Sequence, residues 1–162
     1  SPKKIKSKIK LAVTSMFVPD GNLEPPNDII KELTVEYWFR KNDEYNHNNA
    51  NDYFEPRSKK RFDTILEGDV SKKSFKRLHR WRYSPTAAYG NNEVHLHPYK
   101  ARRLSVSETL AIQSLPKDFV LPKTISKSEM FKTVGNGVPY LLSKGIARNI
   151  KKFIESYVKI GE

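Results

Sequence analysis

Leu142, Ile146, Ile150, Phe153 or Ile154, and Tyr157 recur every three or four positions along the end of this chain, with mostly polar residues between them. That period predicts an amphipathic helix whose long apolar face must be covered by something. The 162 residues contain no cysteine, so disulfides, zinc–thiolate sites and thiol catalysis are excluded within them. A chain of this length forms one domain, or one small domain plus part of another. The face must then be met by the chain's own residues, by a second copy, or by a partner.

The segment leading into that helix is Gly135–Asn136–Gly137–Val138–Pro139. Proline suits a first helical turn. Two glycines permit close backbone approach or positive φ, and the Asn136 amide can both donate and accept. The helix start offers free N–H groups. A second helix is predicted from Val106 to about Ser114, because Ser105 and Glu108 form an S-x-x-E capping box. Leu110 and Ala111 face inward there, and Pro116 ends it.

The first hundred residues read as mixed structure. Residues 1–10 form a basic arm, Leu11–Val18 a short apolar run, and Pro19–Asp20–Gly21–Asn22 a turn. Asn27 or Asp28 caps a short helix through Leu33, and Thr34–Phe39 has strand composition. Lys41–Asp52, with five asparagines, is expected to be a surface loop. Phe62–Leu66 and Ser74–His79 are short helical or extended pieces. Trp81–Gly90 reads as strand–loop–strand, since Pro85 cannot sit mid-sheet. Asn91–Asn92 makes a turn before a short strand at Val94–Leu96.

The net charge of +12 points to a polyanionic partner. Ten basic residues stand against three acidic ones between Arg57 and Arg82, with Trp81, Tyr83 and Tyr89 in or beside that stretch. The pattern favours DNA, with Lys76, Arg77, Arg80 and Arg82 as backbone or base contacts. His79, His95 and His97 lack nearby cysteines or clustered carboxylates and are not read as metal ligands. The sequence shows no membrane-length apolar run and no signal-peptide pattern, so a cytoplasmic, DNA-associated protein is expected.

Three ordered segments carry a resemblance to a known family. Arg102, Leu104, Ser105, Glu108, Ala111, Gln113, Ser114, Pro116, Asp118 and Phe119 match R-x-L-T-x-R-E-x-A-R-L-Q-S-F-P-D-D-F, with Ser107 for an arginine and Leu115 for an aromatic. Gly135, Asn136, Gly137, Val138 and Pro139 match G-N-[AS]-V-P-P, with Tyr140 at the second proline. Ser84–Pro85–Thr86 and His97–Pro98 match an S-P-T…H-P pattern. The set resembles the target-recognition region and the ninth and tenth motifs of the C5-cytosine DNA methyltransferases.

The resemblance implies an α+β fold. A small mixed target-recognition domain spans residues 1–100, and helices over 101–162 complete a Rossmann-like methyltransferase domain. It implies S-adenosylmethionine contacts at Gly135, Asn136 and the Val138 backbone, and DNA contacts at Ser84 and Thr86, the latter a phosphate clamp. Arg102 and Glu108 receive no catalytic role. The family attacks C6 of a flipped cytosine with a cysteine thiolate. The Pro-Cys, Glu-Asn-Val, F-x-G-x-G and Q-x-R-x-R motifs of that chemistry are not in these residues. The expected role is therefore that of a subunit of a restriction–modification methyltransferase. It is active as a heterodimer with a partner carrying the first eight motifs, on double-stranded DNA. A C-terminal fragment of a single-chain enzyme and a non-enzymatic, sequence-specific DNA-binding paralogue are the alternatives.

Overall fold

The structure is a computed structural model that describes residues 25–56, 58–87, 89 and 93–158. The expected basic arm, the apolar run before Pro19 and the Asn91–Asn92 turn lie outside the described residues. Five α-helices are present among those described: α1 (Val35–Asn42), α2 (Lys60–Thr64), α3 (Val106–Ile112), α4 (Lys127–Asn136) and α5 (Tyr140–Val158). A single 3-10 turn at Lys31–Leu33 precedes α1, with no side-chain cap from Asn27 or Asp28.

Helix α1 replaces the strand expected over Thr34–Phe39. The Thr34 side chain accepts from Tyr37 N at 3.3 Å, and Asp43 closes the helix in the left-handed region at φ 49°. Glu36 near the start and Arg40 and Lys41 near the end suit the helix dipole. Val35, Phe39 and Asn42 are buried at helical spacing, so their tertiary fit overrides the β propensity of the Val-Tyr-Trp-Phe composition. The first orphan N–H groups are satisfied from outside the helix: Val35 N donates to Arg82 O and Glu36 N to Arg80 O.

Helix α3 has the expected capping box, with Ser105 Oγ accepting from Glu108 N and the Glu108 carboxylate accepting from Ser105 N. It packs against both α1 and α4. Phe39, Leu78, Tyr89, Leu104, Leu110, Phe131 and Val134 form the shared core. A smaller cluster joins Phe62, Ile65 and Leu96.

The extended segments do not build named strands among the described residues. Leu96 makes isolated bridges to Arg77 (parallel) and Arg103 (antiparallel). Its N–H donates to Lys76 O at 2.8 Å, and Leu104 N donates to His95 O at 3.0 Å. Pro98 and the bend at 98–102 end the pairing after these few bonds. The strand expected at Val94–Leu96 is therefore reduced to one bridge residue, and the strand–loop–strand over 81–90 is a turn followed by irregular chain where described.

The Asn-rich segment is not simply a surface loop. Asn49 is 0% exposed, and its amide mimics a strand edge: Nδ2 donates to Leu121 O and Oδ1 accepts from Leu121 N. Asn42 Nδ2 likewise donates to Leu115 O at 2.8 Å. Helix α5 begins just after Pro139, as its periodicity predicts, yet none of its described side chains is buried. Leu142, Ile146, Ile150, Phe153, Ile154 and Tyr157 are 49–63% exposed.

Candidate functional site

A cleft of about 490 Å³ opens between the start of α1, the 83–87 segment and the junction of α4 with α5. Ser84, Pro85 and Thr86 line one side, and Gly135, Gly137 and Pro139 the other, with Trp38 and Gln113 between. Two stretches matched separately in the sequence thus share one cavity. Asn136 and Val138 alternate with the lining residues and are exposed, Val138 at 63%. Thr86 is exposed, while Ser84 is half-buried with its hydroxyl donating to Pro85 O at 2.9 Å.

The Gly-Asn-Gly stretch is the end of a helix rather than a free turn. Gly135 and Asn136 are the last residues of α4, and Gly137 caps it at φ −75° and ψ 150°. The positive φ expected of its glycines does not explain Gly135, which is helical. A Cβ there would stand 2.8 Å from Tyr89 N and 3.2 Å from Ala87 O, so the missing side chain lets α4 meet the segment after Ser84–Pro85–Thr86. The α5 start also offers fewer free donors than expected. Tyr140 N donates to Gln113 O at 2.9 Å and Leu141 N to Ser114 Oγ at 3.0 Å.

The basic residues separate into two kinds. Arg77 is 5% exposed, and its guanidinium donates to the carbonyls of Pro98 and Ile65. Arg80 is 4% exposed, bonds both carboxylate oxygens of Glu67 and lies 4.5 Å from the centre of the Tyr99 ring. Both guanidinium groups are committed inside the protein. Lys76 is half-buried, and Arg82 and Tyr83 are exposed beside the cleft. The histidines serve structure: His97 Nδ1 accepts from Tyr99 N and Lys100 N, and its ring stacks on Phe39. Burial pushes His95 down to about 4.

Beside Ser107, whose hydroxyl donates to Glu44 O, lies a buried acidic group that sequence reading missed. Glu44 is 3% exposed, its Oε2 has no hydrogen-bond partner, and burial pushes its carboxyl up to about 7. Glu36, also buried, accepts from Tyr99 Oη at 3.0 Å. Nothing local marks Glu44, because the elements that bury it are distant in sequence.

The family model for C-5 cytosine-specific DNA methylase matches residues 3–152. The chain belongs to that family. The type II methyltransferase M.NmeDI of Neisseria meningitidis serogroup C is 60% identical over 133 residues, which are 82% of this chain and 32% of that protein. The type II methyltransferase M.AplI of Arthrospira platensis is 40% identical over 57 residues, 35% of this chain and 16% of that one. The chain therefore spans about a third of M.NmeDI, by the 32% covered. No solved structure matches it.

Proposed function

We propose that this chain recognises DNA and supplies one wall of the cofactor pocket in a DNA (cytosine-5-)-methyltransferase of a restriction–modification system. A partner polypeptide bearing the catalytic cysteine completes the enzyme as a heterodimer. The carrying observation is the apolar face of α5, left exposed among the described residues, in a family member whose residues include no cysteine. Burying each Leu or Ile of that face would contribute roughly 1.5–3 kcal/mol. The partner's α/β domain is the proposed cover, so that the helices of residues 101–162 complete a Rossmann-like layer and residues 1–100 form the recognition domain.

The cleft fits this role. Its volume of about 490 Å³ lies within the range of small-molecule sites, and it combines Trp38 and Pro139 with the hydroxyls of Ser84 and Thr86. S-adenosylmethionine, when bound, supplies the methyl group. The Asn136 amide and the Val138 backbone are the proposed cofactor contacts beside Gly135. Thr86 and Ser84 face the DNA phosphates, with Arg82 and Lys76 adding charge, while Arg77 and Arg80 support that surface from within. Proton transfers and attack on the cytosine belong to the partner.

The match to 32% of the longer M.NmeDI chain favours a second reading, in which the cysteine-bearing part is joined covalently to this one. One experiment separates the readings. The chain is co-purified with the product of the neighbouring coding sequence, and methyl transfer from S-adenosylmethionine to DNA is assayed. Transfer by the pair, and by neither alone, is expected. A pair that associates but transfers no methyl group overturns the proposal.

A further inference from the structure

The polypeptide around Asn136 and Val138 is tied on both sides to one dipeptide at the end of α3. Gln113 Nε2 donates to Val134 O at 3.1 Å, the same carbonyl that accepts from Gly137 N. Beyond Pro139, Gln113 O accepts from Tyr140 N at 2.9 Å, and Ser114 Oγ accepts from Leu141 N at 3.0 Å. Gln113 is 7% exposed, and Ser114 lies in the left-handed region at φ 56°, where α3 has just ended. No described side chain of α5 is buried, so side-chain burial does little to fix where that helix begins. These polar tethers fix it instead, and the buried one, from Gln113 Nε2 to Val134 O, resists displacement because breaking it would leave a desolvated amide donor unpaired.

We infer that Gln113 and Ser114 are positioning residues for the methyl-donor site. Both also line the cleft, but their role is to place the polypeptide rather than to supply a contact. They hold the α4 end and the α5 start in register, which fixes the placement of Asn136 and Val138 between the tethers. The inference rests on the proposal that Asn136 and Val138 face S-adenosylmethionine. A merely structural role for the dipeptide, as the end of α3, would instead weaken folding without selectively changing cofactor affinity.

The test uses Gln113→Met, which keeps the length but has no donor, and Ser114→Gly, which suits the positive φ but has no hydroxyl. Amide hydrogen exchange is first read on the full chain. Exchange of the Leu141 amide in Ser114→Gly, and of the 137–141 amides in Gln113→Met, should rise by about tenfold, while Val106–Ile112 stays protected. The pair with the cysteine-bearing partner is then titrated with S-adenosylhomocysteine, and separately with DNA. Gln113→Met should weaken S-adenosylhomocysteine about tenfold and DNA less than about twofold. In an Asn136→Ala background the same change should add less than about twofold, because the two act through one contact. Unchanged exchange overturns the tether. Faster exchange with unchanged S-adenosylhomocysteine affinity, while Asn136→Ala alone weakens it, overturns the positioning role and leaves the proposed function standing. If Asn136→Ala also has no effect, the cofactor-wall reading fails and this inference falls with it.

Discussion

Arg102 grips Glu108 through two parallel bonds, Nη2 to Oε1 at 2.6 Å and Nη1 to Oε2 at 2.8 Å, with Glu108 only 1% exposed. The same carboxylate completes the α3 capping box by accepting from Ser105 N at 2.7 Å. Burial alone would raise its pKa. The His97 ring edge and the Arg102 fork reverse that and hold Glu108 below the usual carboxylate range. Removing one member of such a pair leaves the other buried and uncompensated.

Glu108→Gln should therefore cost about 3–5 kcal/mol in urea unfolding. The matched control is Glu129→Gln in the Ser126–Glu129 capping box of α4, which is exposed and has no arginine partner among its bonds. That change should cost far less, since the site is exposed and glutamine also completes a capping box. Similar losses at the two sites would show that the Arg102 pair adds little.

Two glycines make opposite predictions. At Gly135 an added methyl meets backbone atoms at 2.8 and 3.2 Å, which cannot swing away. Gly135→Ala should destabilise the chain by about 1–3 kcal/mol and displace one wall of the cleft. At Gly145, within α5, an added Cβ meets nothing within 4 Å. Gly145→Ala should stabilise by up to about 1 kcal/mol through helix propensity alone. Thermal unfolding of the two variants checks both signs.

What the sequence disclosed follows from how local each signal is. The α3 box and the α5 stripe lie within a few turns of themselves and were readable. Ser126-x-x-Glu129 carries the same box signal and would have found α4. Thr34 capping and the Val35–Phe39–Asn42 spacing would have found α1, but the aromatic composition pointed to a strand. Charge was readable at Arg77 and Arg80, whereas its use was not. The acceptors of Arg77 at Pro98 and Ile65 are 21 and 12 residues away, and only the folded chain brings them together.

Glu44 gives the stability a pH dependence of its own sign. Its folded pKa, about 7, lies above the ordinary glutamate value of 4.5, so between these values the native state holds a proton that the unfolded chain has released. This contribution is full below about 4.5 and is lost as pH rises through about 7. Buried Glu108 and Glu36 disfavour the charge, and Lys100 favours it. Glu44→Gln should flatten the fall in unfolding temperature between pH 5 and 8, and raise it at pH 8 by about 2–4 °C per kcal/mol gained. A parallel pH profile for native and variant would mean that the buried carboxyl is not the titrating group.

The divided arginines make a prediction about DNA. Arg82→Ala or Lys76→Ala should weaken DNA binding and lower the salt slope by about one unit each if each meets a phosphate, with little loss of stability. Arg80→Ala should instead destabilise the fold, because it strips both guanidinium bonds from Glu67, leaving it only the residue-80 backbone N–H, and removes the cation over the Tyr99 ring. Salt titrations of DNA affinity, alongside unfolding curves, separate the two kinds of residue. A lowered salt slope in Arg80→Ala with native stability would reverse the assignment.

The last prediction concerns the exposed apolar face of α5. Ile150 is 54% exposed near the middle of α5, so Ile150→Asp removes little burial from the isolated chain and should change its stability by about 0.5 kcal/mol or less. In the proposed complex the same position should lose roughly 1.5–3 kcal/mol of apolar burial and also place a charge in the interface. Since each 1.4 kcal/mol is about tenfold in affinity, the partner should bind at least about tenfold more weakly, and methyl transfer should recover at higher partner concentration. Phe153→Asp, at 61% exposure one turn on, should behave alike. Loss of stability in the isolated chain, with partner affinity unchanged, would mean that the face is covered by the chain itself.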